Sequence, residues 1–268
     1  MVDQRHRHVV EIYPDKVIKR FRSRSRDEPY CEWRALTLLS RHAPGLAPEP
    51  LQAELYGDQP TVVMSRLGGS QLRGTRVPQD QITALANALT TLHTAVPPSV
   101  LTTLPLRRGH AVELVELVGA WAPEPAPPVV RHAMSEGRRW LEKEAGGFRA
   151  PLGQPVFGRG DSNLANFLWD GSRVRMVDFE DSGRSDRAFE LAEVTEHVST
   201  WVDSDFDHRA FLDHFDLGPS ERGRLGAARR LLALTWLRVL AGDDADNPRN
   251  PPGTLERQAE RVLELLAA

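Results

Sequence analysis

One cysteine in 268 residues leaves no partner for an intrachain disulfide. Cys31 therefore excludes a disulfide framework and suits a reducing compartment. Long apolar runs are also missing. None approaches the roughly 18–20 residues needed to cross a bilayer, and Met1 to His8 is polar, without the apolar segment of a signal peptide. A cytoplasmic location and no membrane partner are expected. The net charge is only −3, so there is no basic surplus to neutralise phosphates, and a general nucleic-acid binder is excluded. No glycine precedes Gly45, which removes both Gly-x-Gly-x-x-Gly and a P-loop from the first strands. A Cys pair, His-Glu-x-x-His spacing, a Gly-x-Ser-x-Gly elbow and internal repeats are absent too. The oligomeric state is left open.

What is present can build a core. Hydrophobic residues make up 40% of the chain, enough for one domain or two closely packed lobes. Val9–Tyr13 reads as a strand, Pro14-Asp15 as a turn and Lys16–Phe21 as the returning strand, with Val17, Lys19 and Phe21 on one face. Asp27 and Pro29 signal a helix to about His42, with Cys31, Ala35, Leu36, Leu38 and Leu39 as its apolar stripe. Leu51–Leu55 and Thr61–Met64 read as two further strands. Asp80 could cap a helix from Gln81 to Thr94, stopped by Pro97-Pro98. Helices are expected over His110–Trp121 and Val129–Glu144, joined by a Pro-rich connector, Pro123–Pro128. Four more are expected near Arg187–Trp201, His208–Phe215, Glu221–Ala241 and Leu255–Leu266.

The most informative stretch lies between them. Pro155–Arg159 reads as a short buried strand and Ser162–Asn166 as a polar loop. Phe167-Leu168-Trp169 and Val174–Val177 read as the arms of a hairpin turning at Asp170-Gly171 and ending at Asp178. A hairpin brings its outer ends together, so Asp161, Asn166 and Asp178 could converge on one ion. Two carboxylates and an amide oxygen in that pattern are the ligand set that magnesium-dependent phosphoryl transfer uses.

Gly160-Asp161-Ser162-Asn163-Leu164-Ala165-Asn166 resembles the His-Gly-Asp-x4-Asn signature of aminoglycoside phosphotransferases, a family that includes choline kinase-like small-molecule kinases. Val177-Asp178-Phe179-Glu180 resembles its metal-binding Ile-Asp-Phe/Trp-Glu, and Asp186–Ala192 its Asp-Pro-x-x-Asp-Leu-Ala run. The resemblance implies an α+β, two-lobed protein-kinase-like fold. Residues 1–67 would form a small nucleotide-binding β-sheet lobe with one helix and the hinge, and residues 68–268 a larger, mainly helical lobe for catalysis and substrate. It also implies that Asp161 orients and deprotonates an acceptor hydroxyl, and that Asn166 and Asp178 hold Mg²⁺. Lys19, with Lys16 as rival, would contact the phosphates of ATP or GTP, and Glu32, in competition with Glu28, would pair with it. Thr61–Ser70 resembles the hinge, with Ser65 and Leu67 presenting backbone groups to the base and Met64 packing behind it; an ordinary strand-to-loop passage describes the same residues. His93 is read as a structural histidine. Arg159 stands where the family has histidine and is expected to brace the loop against carboxylates such as Asp178 or Asp181, with a phosphate contact as the alternative. Asp186 and Glu190 are expected to secure the loop. Asp181 is read either as a substrate contact or as an exposed loop acid.

The resemblance further implies phosphorylation of a small-molecule hydroxyl, with an aminoglycoside-like cationic antibiotic as the leading substrate and choline-like or other hydroxylated metabolites as alternatives. Asp203, Asp205, Asp207, Asp213 and Asp216 could line an acidic cleft or form the solvated side of their segment. Trp201 and Trp236 could form a cation–π wall or belong to the core. Asp243, Asp244 and Asp246 look like an acidic turn. A catalytically silent nucleotide- or ligand-binding protein on the same fold is the rival reading, favoured by the missing glycine loop and by Arg159.

Overall fold

A computed structural model of the chain describes residues 8–22, 27–74, 76–121, 126–148, 153–243 and 249–268. The polar start of the chain through Arg7, the connector up to Pro125, and Asp244 and Asp246 lie outside the described residues. The first part is a four-stranded antiparallel sheet of β1 (His8–Ile12), β2 (Lys16–Phe21), β3 (Pro50–Glu54) and β4 (Thr61–Ser65), in the order β1-β2-β4-β3. Helix α1 (Glu28–His42) packs on β3 and β4. Period-two alternation puts Lys19 and Phe21 on one face of β2, and both are buried, together with Ala35, Leu36 and Leu39 of α1. The tight Tyr13-Pro14-Asp15 connection, where Tyr13 N–H donates to the Lys16 carbonyl, needs no glycine.

The second part is mainly helical. It contains β5 (Ser70–Gln71), α2 (Gln79–Ala95), α3 (Pro98–Leu101), α4 (Ala111–Gly119), α5 (Pro128–Phe148), β6 (Pro155–Gly158), β7 (Phe167–Trp169), β8 (Val174–Met176), β9 (Gly183–Asp186), α6 (Arg187–Glu196), α7 (His208–Leu212), α8 (Pro219–Ala241) and α9 (Thr254–Ala267). Helices α5, α6, α8 and α9 pack around a core that includes Leu191, Val194, Leu231 and Leu234. Two small antiparallel sheets cross it: β5-β7-β8, and β6 paired with β9. The β7–β8 hairpin pairs Phe167 with Met176 and Trp169 with Val174, so the turn runs over the four residues Asp170–Arg173.

Several expectations need correction. Asp80 is not a cap: α2 begins at Gln79 with Pro78 at the N-cap and no side-chain cap bond, which leaves Asp80 in the first turn. Pro97 and Pro98 end α2 but also start α3, since proline is suited to a helix's first turn. The helix expected through Trp201 ends at Glu196, where His197 turns extended and starts a 3-10 turn, Val198–Thr200. The helix expected to Phe215 stops at Leu212. β5 and β9 were not foreseen. Among the described residues, no helix is long and apolar enough to cross a membrane.

Candidate active site

The loop that follows β6 is held by buried charge. Arg159 is 1% exposed, and its Nη2 donates to the carbonyls of Val177 at 2.7 Å and Asp178 at 3.2 Å. Its guanidinium lies 4.5 Å from the Phe167 ring centroid and 5.5 Å from that of Phe179. Arg159 therefore braces the β8 end of the hairpin through main-chain oxygens and aromatic faces, not through the expected carboxylates. Its own N–H donates to Glu190 Oε2 at 3.1 Å. Glu190 also accepts from Arg107 Nε at 2.7 Å and Ser185 Oγ at 2.5 Å. Asp186 accepts from the first N–H groups of α6 and from Arg224. Both downstream acids thus hold the frame. Gly160 has φ +95°, and a Cβ there would lie 2.5 Å from the Asp181 carbonyl, so only glycine fits between Arg159 and Asp161.

Asp161 then points its carboxylate into the loop's own donors. Oδ1 takes the Asn163 N–H at 2.9 Å and lies 3.3 Å from His197 Nε2. Oδ2 takes Asn166 Nδ2 at 3.0 Å. Partial burial opposes its ionisation, but the hydrogen bonds from His197 and from the Asn163 N–H and the charge of Arg159 outweigh it, and its pKa falls below the usual carboxylate range. Asn166 N–H donates to the Asn163 carbonyl, and the Asn166 carbonyl accepts from Val177 N–H at 3.0 Å, which brings Asn166 beside the end of β8. Asp178, next in the chain, adopts φ 69°, a left-handed backbone unusual outside glycine.

Across the cleft, Lys19 is 4% exposed. Its Nζ lies 2.9 Å from Glu32 Oε2, 2.5 Å from Asp178 Oδ1 and 2.7 Å from Glu180 Oε2. Lys16 instead sits over the Tyr13 ring. Glu32 is fully buried and also accepts the Phe179 N–H at 3.2 Å. Burial disfavours the Lys19 charge, but the three carboxylates overcome it and raise its pKa well above the ordinary value. Burial raises the pKa of Glu32 despite Lys19. For Glu180 the burial cost is outweighed by a hydrogen bond from His8 and the charge of Lys19, which hold it at about 2. Glu32, Asp178 and Glu180 can each offer an oxygen within 4.8 Å of the others. Hard carboxylate oxygens are donors suited to Mg²⁺.

The remaining expected residues fall in different places. Met64 is buried. Ser65 is tied to Glu49 by its N–H and by its hydroxyl, and Leu67 is half-buried where the chain leaves β4. A cleft of about 520 Å³ includes Asp161, Asp178, Glu180, Asp181, His197 and Trp236 in its lining. A larger cavity of about 730 Å³ lies between α4, α5, β9 and α8 and holds none of the expected catalytic, nucleotide or metal residues. The acidic run does not line the cleft. Asp203 pairs with Arg73, Asp205 with Arg76, and Asp207 caps α7. Trp201 stacks on Arg257, so of the two tryptophans only Trp236 borders the cleft. His93 is buried and its pKa is lowered by burial to about 4, in keeping with a structural residue. His197 and Arg107 went unread in the sequence; a lone histidine at a helix end and an arginine 83 residues from its partner Glu190 carry no local signal.

A model of the phosphotransferase enzyme family matches residues 6–225. A search of curated proteins by sequence returns no match. Among solved structures, a choline/ethanolamine kinase family protein from Mesorhizobium loti is 20% identical, with a TM-score of 0.62 over 98% of this chain and 86% of its own. A spectinomycin phosphotransferase in complex with ADP and spectinomycin is 11% identical, with a TM-score of 0.63 over 99% and 90%. Choline kinase LicA from Streptococcus pneumoniae is 15% identical, with a TM-score of 0.62 over 97% and 89%. At these identities the structures establish the kinase-like α+β fold. Given that fold and a family match over most of its length, the chain belongs to the phosphotransferase enzyme family and is a small-molecule kinase.

Proposed function

We propose that this enzyme transfers the γ-phosphoryl group of ATP or GTP to a hydroxyl of a small cationic molecule, with residues 1–67 forming the nucleotide side and residues 68–268 the catalytic and substrate side. One observation carries the reading. Asp161 has Oδ1 engaged by two donors and Oδ2 by one, Asn166 Nδ2. That leaves Oδ2 a lone pair for an acceptor hydroxyl, whose proton the carboxylate takes as the oxygen attacks phosphorus. Asn166, donating through its nitrogen, keeps its amide oxygen for a metal, and Asp178 supplies a carboxylate. Mg²⁺ held there would neutralise charge on the phosphate oxygens. Lys19, aimed by Glu32, contributes a fixed cation to the α- and β-phosphates. Met64, Ser65 and Leu67 border the base.

On the acceptor side, Trp236 provides an aromatic wall, with Asp181 and Asp243 on the same cleft. Asp203, Asp205 and Asp207 do not line the cleft, but Asp161, Asp178, Glu180, Asp181 and Asp243 do, and that acidic lining suits an acceptor carrying ammonium groups. An aminoglycoside-like cationic antibiotic and a choline-like amino alcohol both suit that charge. Spectinomycin and choline are named for the two kinds of relative, so both belong in the assay. The silent-protein reading draws on the glycine-free β1–β2 turn. The test is phosphate transfer from Mg²⁺-ATP and Mg²⁺-GTP over a panel of amino sugars and amino alcohols. At least one acceptor should be phosphorylated, and Asp161→Asn should keep nucleotide binding while losing most turnover. Near-wild-type turnover in that variant removes the general-base role.

A further inference from the structure

We infer that His197 is a positioning residue for Asp161, set in a single tautomer by Ser199; this rests on Asp161 being the catalytic base. His197 and Ser199 are 4% and 0% exposed. They lie where α6 ends and the 3-10 turn Val198–Thr200 begins. The Ser199 N–H donates to His197 Nδ1 at 3.1 Å, and the Ser199 hydroxyl lies 2.8 Å from the same nitrogen. That hydroxyl oxygen already accepts the Leu164 N–H at 2.9 Å, so its own proton is free to point at Nδ1. A nitrogen that accepts the Ser199 main-chain N–H carries no proton. The ring's one N–H therefore sits on Nε2, the atom 3.3 Å from Asp161 Oδ1. The Trp236 ring meets the imidazole edge-on, with centroids 4.6 Å apart at 73°, and fixes its plane from the cleft side.

The consequence is a closed circuit around the catalytic loop. Leu164, between Asp161 and Asn166, is tied to Ser199; Ser199 orients His197; His197 returns to Asp161. With the Asn163 N–H, the His197 donor occupies Oδ1 and turns Oδ2 toward the acceptor. His197 does not need to touch substrate or exchange a proton for this. It acts through the angle of the carboxylate, so its removal should lower kcat and leave nucleotide affinity and acceptor KM nearly unchanged.

The test compares His197→Leu, His197→Gln and Asp161→Asn, using Mg²⁺-ATP and the best acceptor from the panel, with nucleotide affinity and melting temperature measured for each. The Leu variant should lose about 10- to 100-fold in kcat, the scale of a misplaced catalytic group, with ATP affinity within about twofold of wild type. Glutamine, whose amide nitrogen can reach the place of Nε2, should recover most of it. A merely structural histidine would not give this split or this rescue. Nitrogen NMR of the wild-type imidazole should show the Nε2-protonated neutral form, and Ser199→Ala should loosen that preference. A dead Asp161→Asn beside His197→Leu with full kcat overturns this inference alone. Full turnover in Asp161→Asn overturns the base assignment and this inference with it. If the Leu variant does not fold, the ring spectrum still decides, since a proton on Nδ1 contradicts the arrangement.

Discussion

Lys19 gives the sharpest handle on the site, because one ammonium group faces three carboxylates. Lys19 is 4% exposed and Glu32 fully buried, whereas the Asp178 and Glu180 side chains are 28% and 11% exposed. Replacing Lys19 with methionine keeps the stem and removes the charge. Glu32, Asp178 and Glu180 would then lie within 4.8 Å of one another with no ammonium among them. Removing one partner of a buried ion pair costs about 3–5 kcal/mol. Asp178 can turn toward water, so the loss centres on Glu32 and should lie near the low end, about 3 kcal/mol. For a chain of this size that lowers the melting midpoint by roughly 6–12 °C. Calorimetry or a far-ultraviolet melt measures it. Adding Glu32→Gln, which retains an oxygen for the Phe179 N–H, should restore part of the loss. Millimolar Mg²⁺ should stabilise Lys19→Met more than wild type, because a divalent ion can take the vacated place among the oxygens. A Lys19→Met midpoint within about 2 °C of wild type, or equal Mg²⁺ shifts in both proteins, would refute the reasoning.

Two further outcomes follow from the frame of the site. Gly160→Ala should destabilise more than Gly171→Ala, although both glycines have positive φ, +95° and +102°, because a Cβ at Gly160 meets the Asp181 carbonyl and one at Gly171 meets nothing within 4 Å. Strain alone costs about 1 kcal/mol or more at each site, so equal losses in chemical denaturation would show that the close approach is unimportant. His93 predicts a pH effect. Burial lowers its pKa from 6.5 to about 4 and neither ring nitrogen has a hydrogen-bond partner among the described residues. Between those values the unfolded chain binds a proton that the folded chain does not, so stability falls as pH drops from about 6.5 to about 4. At pH 5 the loss relative to pH 7 should be about 2 kcal/mol, and His93→Leu should remove that part of the slope in urea unfolding. Parallel pH dependence in the two proteins would sink this.

Features coded by local chemistry were legible in the sequence, and features made by distant partners were not. The β7–β8 hairpin follows from Asp170-Gly171 between short apolar arms. The β2 face follows from the two-residue alternation that buries Lys19 with Phe21. β9 was invisible because Gly183-Arg184-Ser185-Asp186 has neither apolar alternation nor β-branched residues. It exists through its pairing with β6, and a Cβ on Gly183 would come within 2.7 Å of the Arg107 main chain. The acids from Asp203 to Asp216 show the converse error. Their density suggested a charged cleft, but composition cannot say that Arg73 closes on Asp203 or that Asp207 caps α7. Arg159 was read correctly as a brace and wrongly as to its partners, because the carbonyls of Val177 and Asp178 come into reach only when the hairpin folds back over β6.

The absence of glycine before Gly45 and the crowding of acids around Lys19 bear on the same physical problem. A glycine loop supplies main-chain N–H groups to phosphate. Here the β1–β2 connection is closed on itself and against the end of β4, with the Asp15 carbonyl accepting the Arg66 N–H. On the proposed reading, a triphosphate approaching Lys19 meets one ammonium and three carboxylates, a local charge of −2 before any metal binds. At a spacing of 4 Å and an effective dielectric near 20, each unscreened like-charge pair costs about 4 kcal/mol, far more than one shared lysine can offset. Divalent cations are then needed to hold the nucleotide at all, before they assist its reaction. The same reasoning explains why Glu32 must be buried and fixed. If it swung toward the cleft it would add to the repulsion, whereas bonded to the Phe179 N–H it directs Lys19 and keeps its own charge behind it.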